Sequence, residues 1–335
     1  MTARERFLRW MAFEPADRMP IIEWATWWDE TVERWKGEGL SVPAVEGIGE
    51  GQALQVHMGL DLHLQMWCGI TSSKTPRPAY HGAPLATTIE EYEAIRPTLY
   101  NIDEAVDLNA LKRYRAFQDR GEAIIWITVD GAFWGPRSVL GITDHLMAFY
   151  DEPELMHRIN RDITDFNLRV FEKVFSVLTP DFMTFGEDMS YNNGPMISEQ
   201  MFDEFMLPYY REIVPVLKEK GVHVLVDSDG DITKAFSWFR RAGVEGILPL
   251  ERQAGVDIAE LRETYPDSLF VGHFDKMTMP KGEEAMRREF ERLLPTMKQR
   301  GFIASVDHQT PPGVSLENYK TYLSLLREYA EKAAQ

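Results

Sequence analysis

The chain has 335 residues, with 36 Lys plus Arg against 53 Asp plus Glu and a formal charge of −17. That balance repels polyanions, so a nucleic-acid or anionic-membrane surface is excluded as its main business. A single cysteine, Cys68, excludes an intrachain disulfide framework and a Cys-rich zinc site. The N-terminus lacks a secretory pattern, and the longest apolar run, Ala123–Val129, is too short to span a bilayer. A cytoplasmic protein is the expectation.

In chain order, Pro20–Trp24 is the first β-type run and Leu62–Trp67 the second. Glu122–Asp130 is the clearest, because its Ile, Val and Thr side chains suit a pleated sheet. An Asp151-Glu152-Pro153-Glu154 start predicts a long amphipathic helix to about Val177. The strand Phe182–Glu187 follows, then a helix from Ser198 to Lys220 closed by Gly221. Val222–Asp227, Glu245–Leu250, Leu269–His273 and Phe302–Asp307 complete eight strands. Helices are expected over Lys281–Arg300 and from Ser315 onward. Strands alternating with helices predict an α/β fold, a (β/α)8 TIM barrel with an N-terminal insertion. The expectation is a single barrel domain over residues 1–335, with residues 70–120 as an insertion between early strands. A doubly wound sheet is the alternative.

In a barrel, chemistry sits at the C-terminal strand ends. These end in acids, aromatics and two histidines: Glu23 and Trp24, Trp67, Asp130 and Trp134, Glu187, Asp227 and Asp229, His273 and Lys276, and Asp307 and His308. Like charges held together raise each other's pKa unless a cation joins them, so protonated carboxyls, a metal ion or a cationic substrate are expected. Gly47–Gly51 has the wrong spacing for a dinucleotide fingerprint, and Asp227–Asp231 departs from a calcium loop after its first positions.

Several segments resemble the uroporphyrinogen decarboxylase-like superfamily. They are Arg4-Glu5-Arg6-Phe7, Asp17-Arg18-Met19-Pro20, Glu187-Asp188-Met189 and Pro195-Met196-Ile197-Ser198. Pro208-Tyr209-Tyr210, Gly272–Lys276 and His308–Pro312 continue the likeness in order. The resemblance implies a (β/α)8 barrel. It implies either decarboxylation or methyl exchange with corrinoid proteins or thiols. The chain departs from a porphyrinogen decarboxylase in two places: Glu23–Asp29 contains no Arg, and Met66–Gly69 contains no Asp.

The zinc motif of the thiol-directed methyltransferases, carried over by resemblance, falls on Asp227, Asp229 and His308. These are the expected metal ligands, with zinc the expected ion. Catalytic roles are expected for His308, Asp229, Glu187 and Asp227. Substrate contacts are expected from Glu23, Trp24, Trp67, Asp130, Trp134, Tyr191, His273 and Lys276. The resulting expectation is a methyltransferase of the demethylase type. It would move a methyl group from an aryl methyl ether or methylated amine to a thiol or to a corrinoid (cobalamin) carried by a partner protein. A homodimer is compatible with a barrel of this size. A lyase decarboxylating a carboxylated substrate, anchored by Lys276 or His308, is the alternative.

Overall fold

A computed structural model describes residues 1–335. Seven strands form one sheet: β1 (Leu62–Cys68), β2 (Ala123–Asp130), β3 (Phe182–Gly186), β6 (His223–Asp227), β7 (Gly246–Leu248), β8 (Leu269–Phe274) and β9 (Phe302–Val306), hydrogen-bonded in that order. Neighbours pair in parallel. A small antiparallel hairpin, β4 (Ser190–Tyr191) with β5 (Gly194–Pro195), follows β3. No helix is long and apolar enough to cross a membrane.

The sheet corrects the eight-stranded closed barrel read from the sequence, because Pro20–Trp24 is not a strand. Pro20 has no N–H to donate. Ile21 N–H donates to the Asp61 carboxylate at 2.8 Å, and Trp24 N–H to Ser305 Oγ at 3.4 Å. Side chains therefore take amide bonds that a ladder would need, and one backbone bond, Asp61 N–H to Ile21 O at 2.7 Å, remains. Arg18 grips Asp61 with two bonds of 2.7 Å, and Arg6 adds a third at 3.0 Å. The opening motif of the chain thus works as a buried ionic knot.

Two helix expectations also change. The run Ser198–Lys220 is two helices, Glu199–Phe205 and Leu207–Glu219, because Pro208 cannot donate to the turn before it. Asp151 closes the helix Ile142–Asp151, and the long helix Pro153–Phe175 starts at its proline without a side-chain cap. Residues 70–120 carry the helices Ile89–Ile95, Ile102–Ala105 and Leu108–Asp119.

The chain divides into two compact units. The first comprises residues 1–64, 116–124 and 246–335; the second comprises 65–115 and 125–245. In the first, Trp35 lies over Tyr319 with centroids 4.5 Å apart, and Phe274 packs on Phe290 and Tyr322. In the second, Phe202, Phe185 and Phe239 surround Tyr210. Each such aromatic contact adds about 0.5–1.5 kcal/mol beyond burial.

Candidate active site

In the second unit, strand register decides which acids become neighbours. Asp130 pairs with Gly186, and Gly186 with Asp227, so three strands end in one row. Glu187 follows Gly186 and is fully buried. Its carboxylate accepts N–H bonds from Ala132, Phe133 and Trp134 at 2.9, 2.8 and 3.0 Å. Those donors are the free amides where the helix Trp134–Leu140 begins. Burial pushes the Glu187 carboxyl up to about 8; the three amides oppose this, and Asp130 adds to it. Gly131 must be glycine here, since a Cβ would lie 2.2 Å from the Glu187 carboxyl carbon.

Asp130 is also buried, and desolvation raises its pKa. It accepts from Trp67 Nε1 at 3.1 Å and from Ile70 N–H at 2.8 Å. The Trp67 indole approaches the chain so closely that a Cβ at Gly186 would lie 3.0 Å from its ring. Trp67 and Trp134 line a cleft of about 490 Å³ with Asp130, Glu104 and Ser138. The Arg137 guanidinium sits 5.0 Å from the Trp134 ring centroid. Cys68, beside Trp67, is buried, and burial with the nearby Asp130 pushes its thiol up to about 12.

Asp227 is buried, and desolvation together with Asp188 and Asp229 holds its pKa well above the usual carboxylate range. Asp229 N–H donates to Asp188 Oδ1 at 3.2 Å. Asp188 itself adopts a φ of 40°, a conformation that side chains rarely take. Tyr191 presents its ring to solvent on the hairpin, and its carbonyl accepts from Asp231 N–H at 2.9 Å. Thus Asp130, Glu187, Asp227, Asp229, Trp67, Trp134 and Tyr191 all belong to this unit.

The first unit carries Glu23, Trp24, His273, Lys276 and His308. The pairing of Phe274 with Val306 sets Lys276 beside Asp307. Fully buried Asp307 accepts from Lys276 Nζ and Lys276 N–H, both at 3.2 Å, and from Arg252 N–H at 3.1 Å. Burial still pushes its carboxyl up to about 6. Lys276 Nζ also donates to Gln253 at 2.8 Å. Glu23 is buried, accepting from Ser305 Oγ at 3.1 Å and Tyr319 Oη at 3.3 Å, and burial pushes it up to about 7. His273 is wholly buried; its Nδ1 meets Leu250 O at 2.8 Å and its Nε2 accepts from Ile258 N–H at 3.3 Å. Burial lowers its pKa to about 4, so the ring is neutral.

His308 is half-buried, and Trp24 meets it edge-on with centroids 6.1 Å apart. Trp24 is held by its own indole bond to Val306 O at 2.6 Å. Glu251, which the strand-end reading passed over, presents a carboxylate oxygen within 4.8 Å of a His308 ring nitrogen. It is half-buried and follows Leu250, whose φ is 65°. Carboxylate and imidazole of this kind suit zinc and similar cations. The signal for Glu251 was its place just after β7, which ends at Leu248.

A parallel α/β sheet with acids at its strand ends matches known proteins. The uroporphyrinogen decarboxylase (URO-D) family matches residues 136–329, more than half of the chain, and the chain belongs to that family. It is 20% identical over 302 residues to a methylcobamide:CoM methyltransferase, MtbA, of Methanosarcina acetivorans, covering 83% of this chain and 84% of that one. A solved methyltransferase from Methanosarcina mazei shares the fold, with a TM-score of 0.66 and 16% identity over 98% of this chain and 99% of that one.

Proposed function

We propose that the protein is a methyltransferase that exchanges a methyl group between a small compound and a corrinoid carried by a partner protein. The observation carrying this reading is the likeness to a methylcobamide:CoM methyltransferase along most of both chains, inside a family to which the chain belongs. The small compound is a thiol, an aryl methyl ether or a methylated amine. The decarboxylase alternative needs a cation for the substrate carboxylate. Of its two expected anchors, Lys276 and His308, Lys276 is already engaged by Asp307 and Gln253.

Glu251 and His308 are the proposed metal ligands of the first unit, on the strength of their separation and half-exposure. When bound, zinc would act there as a Lewis acid on a thiol or a leaving oxygen. His308 is oriented for this by the Trp24 edge. Asp229 is the proposed half-exposed acid of the second unit, and buried Asp227 and Glu187 are proposed to hold protons behind it. Trp67 and Trp134, lining one cleft with the Asp130 carboxylate, suit a methylated ammonium against their faces.

The test is the visible spectrum of methylcobalamin incubated with the protein and a thiol, a phenol or an amine. Protein-dependent loss of the methylcobalamin band with at least one acceptor is expected. An unchanged spectrum with every acceptor contradicts the proposal.

A further inference from the structure

In the first unit, two residues that are not glycine have left-handed backbone: Leu250 with a φ of 65° and His273 with a φ of 71°. Both are fully buried. A bulky side chain avoids that conformation, so it persists only where the surroundings impose it. Here the two residues are tied to each other. His273 N–H donates to Pro249 O at 2.9 Å, and His273 Nδ1 lies 2.8 Å from Leu250 O.

The partners of the ring decide where its proton sits. Nε2 accepts from Ile258 N–H at 3.3 Å, a free amide in the first turn of the helix Ile258–Thr264. Arg292 Nη1, 3.4 Å from the same atom, can only donate, and its guanidinium is held by Glu289 at 2.6 and 2.9 Å. Two donors leave Nε2 without a proton of its own. The proton is therefore on Nδ1 and is given to the Leu250 carbonyl. That carbonyl belongs to the peptide leading into Glu251.

Glu251 is pinned on its other side as well. The next amide, Arg252 N–H, donates to Asp307 Oδ2 at 3.1 Å, and Asp307 immediately precedes His308. A buried side chain thus grips the backbone on each side of Glu251, and one of the two lies next to His308. The Glu251 carboxylate and the His308 ring come within 4.8 Å of each other. His273 has no exposed surface, so it acts through these neighbours and does not touch a substrate as the sequence suggested.

We infer that His273 is a positioning residue, whose Nδ1–H holds the Leu250–Glu251 peptide so that the Glu251 carboxylate faces His308 across a metal ion. This rests on the reading of Glu251 and His308 as metal ligands. Groups that orient a ligand from behind are worth about 10–100-fold in metal affinity. Asn and Gln divide the two bonds of the ring between them. An Asn amide nitrogen falls near the place of Nδ1, and Asn tolerates left-handed backbone; a Gln amide falls near Nε2. His273→Asn keeps the bond to Leu250, whereas His273→Gln keeps only the bond to Ile258.

The experiment has two readouts on the full chain. Zinc-stripped protein is titrated with zinc by calorimetry, with Glu251→Gln measured alongside, and hydrogen exchange of residues 250–254 is followed by mass spectrometry without zinc. His273→Gln should weaken zinc about ten-fold or more and speed that exchange by a similar factor. His273→Asn should stay within about three-fold of the parent in both. A brace for the helix Ile258–Thr264 alone would give the reverse order. Parental zinc affinity in His273→Gln while Glu251→Gln loses zinc, equal losses in the Asn and Gln variants, or unchanged exchange in His273→Gln would overturn this inference alone. Zinc affinity unchanged in Glu251→Gln would overturn the metal reading and this inference with it.

Discussion

The two units treat buried acid in different ways. In the second, Glu187 is held by three backbone amides and Asp227 sits among other carboxylates. In the first, Glu23 is held by hydroxyls and Asp307 by a lysine and two amides. In each case burial is the largest upward push and the donors oppose it; Glu187 is pushed furthest, to about 8, with Asp130 adding to the push, against about 7 for Glu23 and about 6 for Asp307. The half-exposed pair suited to a metal, Glu251 and His308, lies in the first. Proton storage and ligand chemistry are therefore separable by mutation.

The largest effect is expected from Gly131→Ala. Its Cβ would overlap the Glu187 carboxyl and push it off three amides. A loss of about 3 kcal/mol or more in urea unfolding is expected, from overpacking plus unmet buried donors. A loss under about 1 kcal/mol would mean that the amides are not a rigid cradle.

The pH dependence separates the units next. A buried acid whose folded pKa exceeds its unfolded value binds more protons when folded. Its stabilising share is present at low pH and declines as pH rises through the folded pKa. For Glu187 that window runs from the ordinary 4.5 to about 8; for Glu23 it ends near 7 and for Asp307 near 6. Glu187→Gln should flatten the fall in stability between pH 7 and 8, and Glu23→Gln only the fall below 7. An unaltered pH 7–8 slope in Glu187→Gln, measured by urea unfolding, would break the assignment. The buried histidines act in the opposite direction. Burial lowers His63 and His273 to about 4 and His145 to about 3, so stability also falls as pH drops from the ordinary histidine value toward those levels.

A smaller effect on stability, with a clear readout elsewhere, is expected from Glu251→Gln and His308→Ala. Each should lower zinc bound per chain, by elemental analysis, about ten-fold or more while the thermal midpoint barely changes. Full zinc in both variants would remove the first unit from the metal account. The smallest effect is expected from Trp67→Phe, which removes one bond to Asp130 and should cost about 1 kcal/mol in unfolding.

Much of the sheet was readable from residue pattern. The runs ending at Trp67, Asp130, Glu187, Asp227, Leu250, His273 and Asp307 each overlap an observed strand, because β-branched and aromatic residues flanked by turns leave few other choices. Pro20–Trp24 reads the same way locally. What keeps it out of the sheet is Asp61, some 40 residues on, which takes the Ile21 amide while Arg6 and Arg18 hold it in place. No local window contains that knot. The break at Met206 was visible in Pro208 and was outweighed by the amphipathic run.

The site was legible at the level of acids after strands, since parallel register places strand ends side by side. The details depended on contacts made across long stretches of chain. The amides that hold Glu187 belong to residues 132–134, more than fifty positions earlier. Glu251 escaped notice because the run EGILPL reads as one strand to Leu250, while β7 ends at Leu248 and frees the next residues to turn.

The most direct test of methyl transfer follows the group itself. Cobalamin carrying a trideuterated methyl group is incubated with the protein and a thiol, a phenol or an amine, and the products are analysed by mass spectrometry. The account predicts protein-dependent appearance of a product three mass units heavier than its unlabelled methylated form, with loss of that product in His308→Ala. Label that remains on the cobalamin with every acceptor would contradict it.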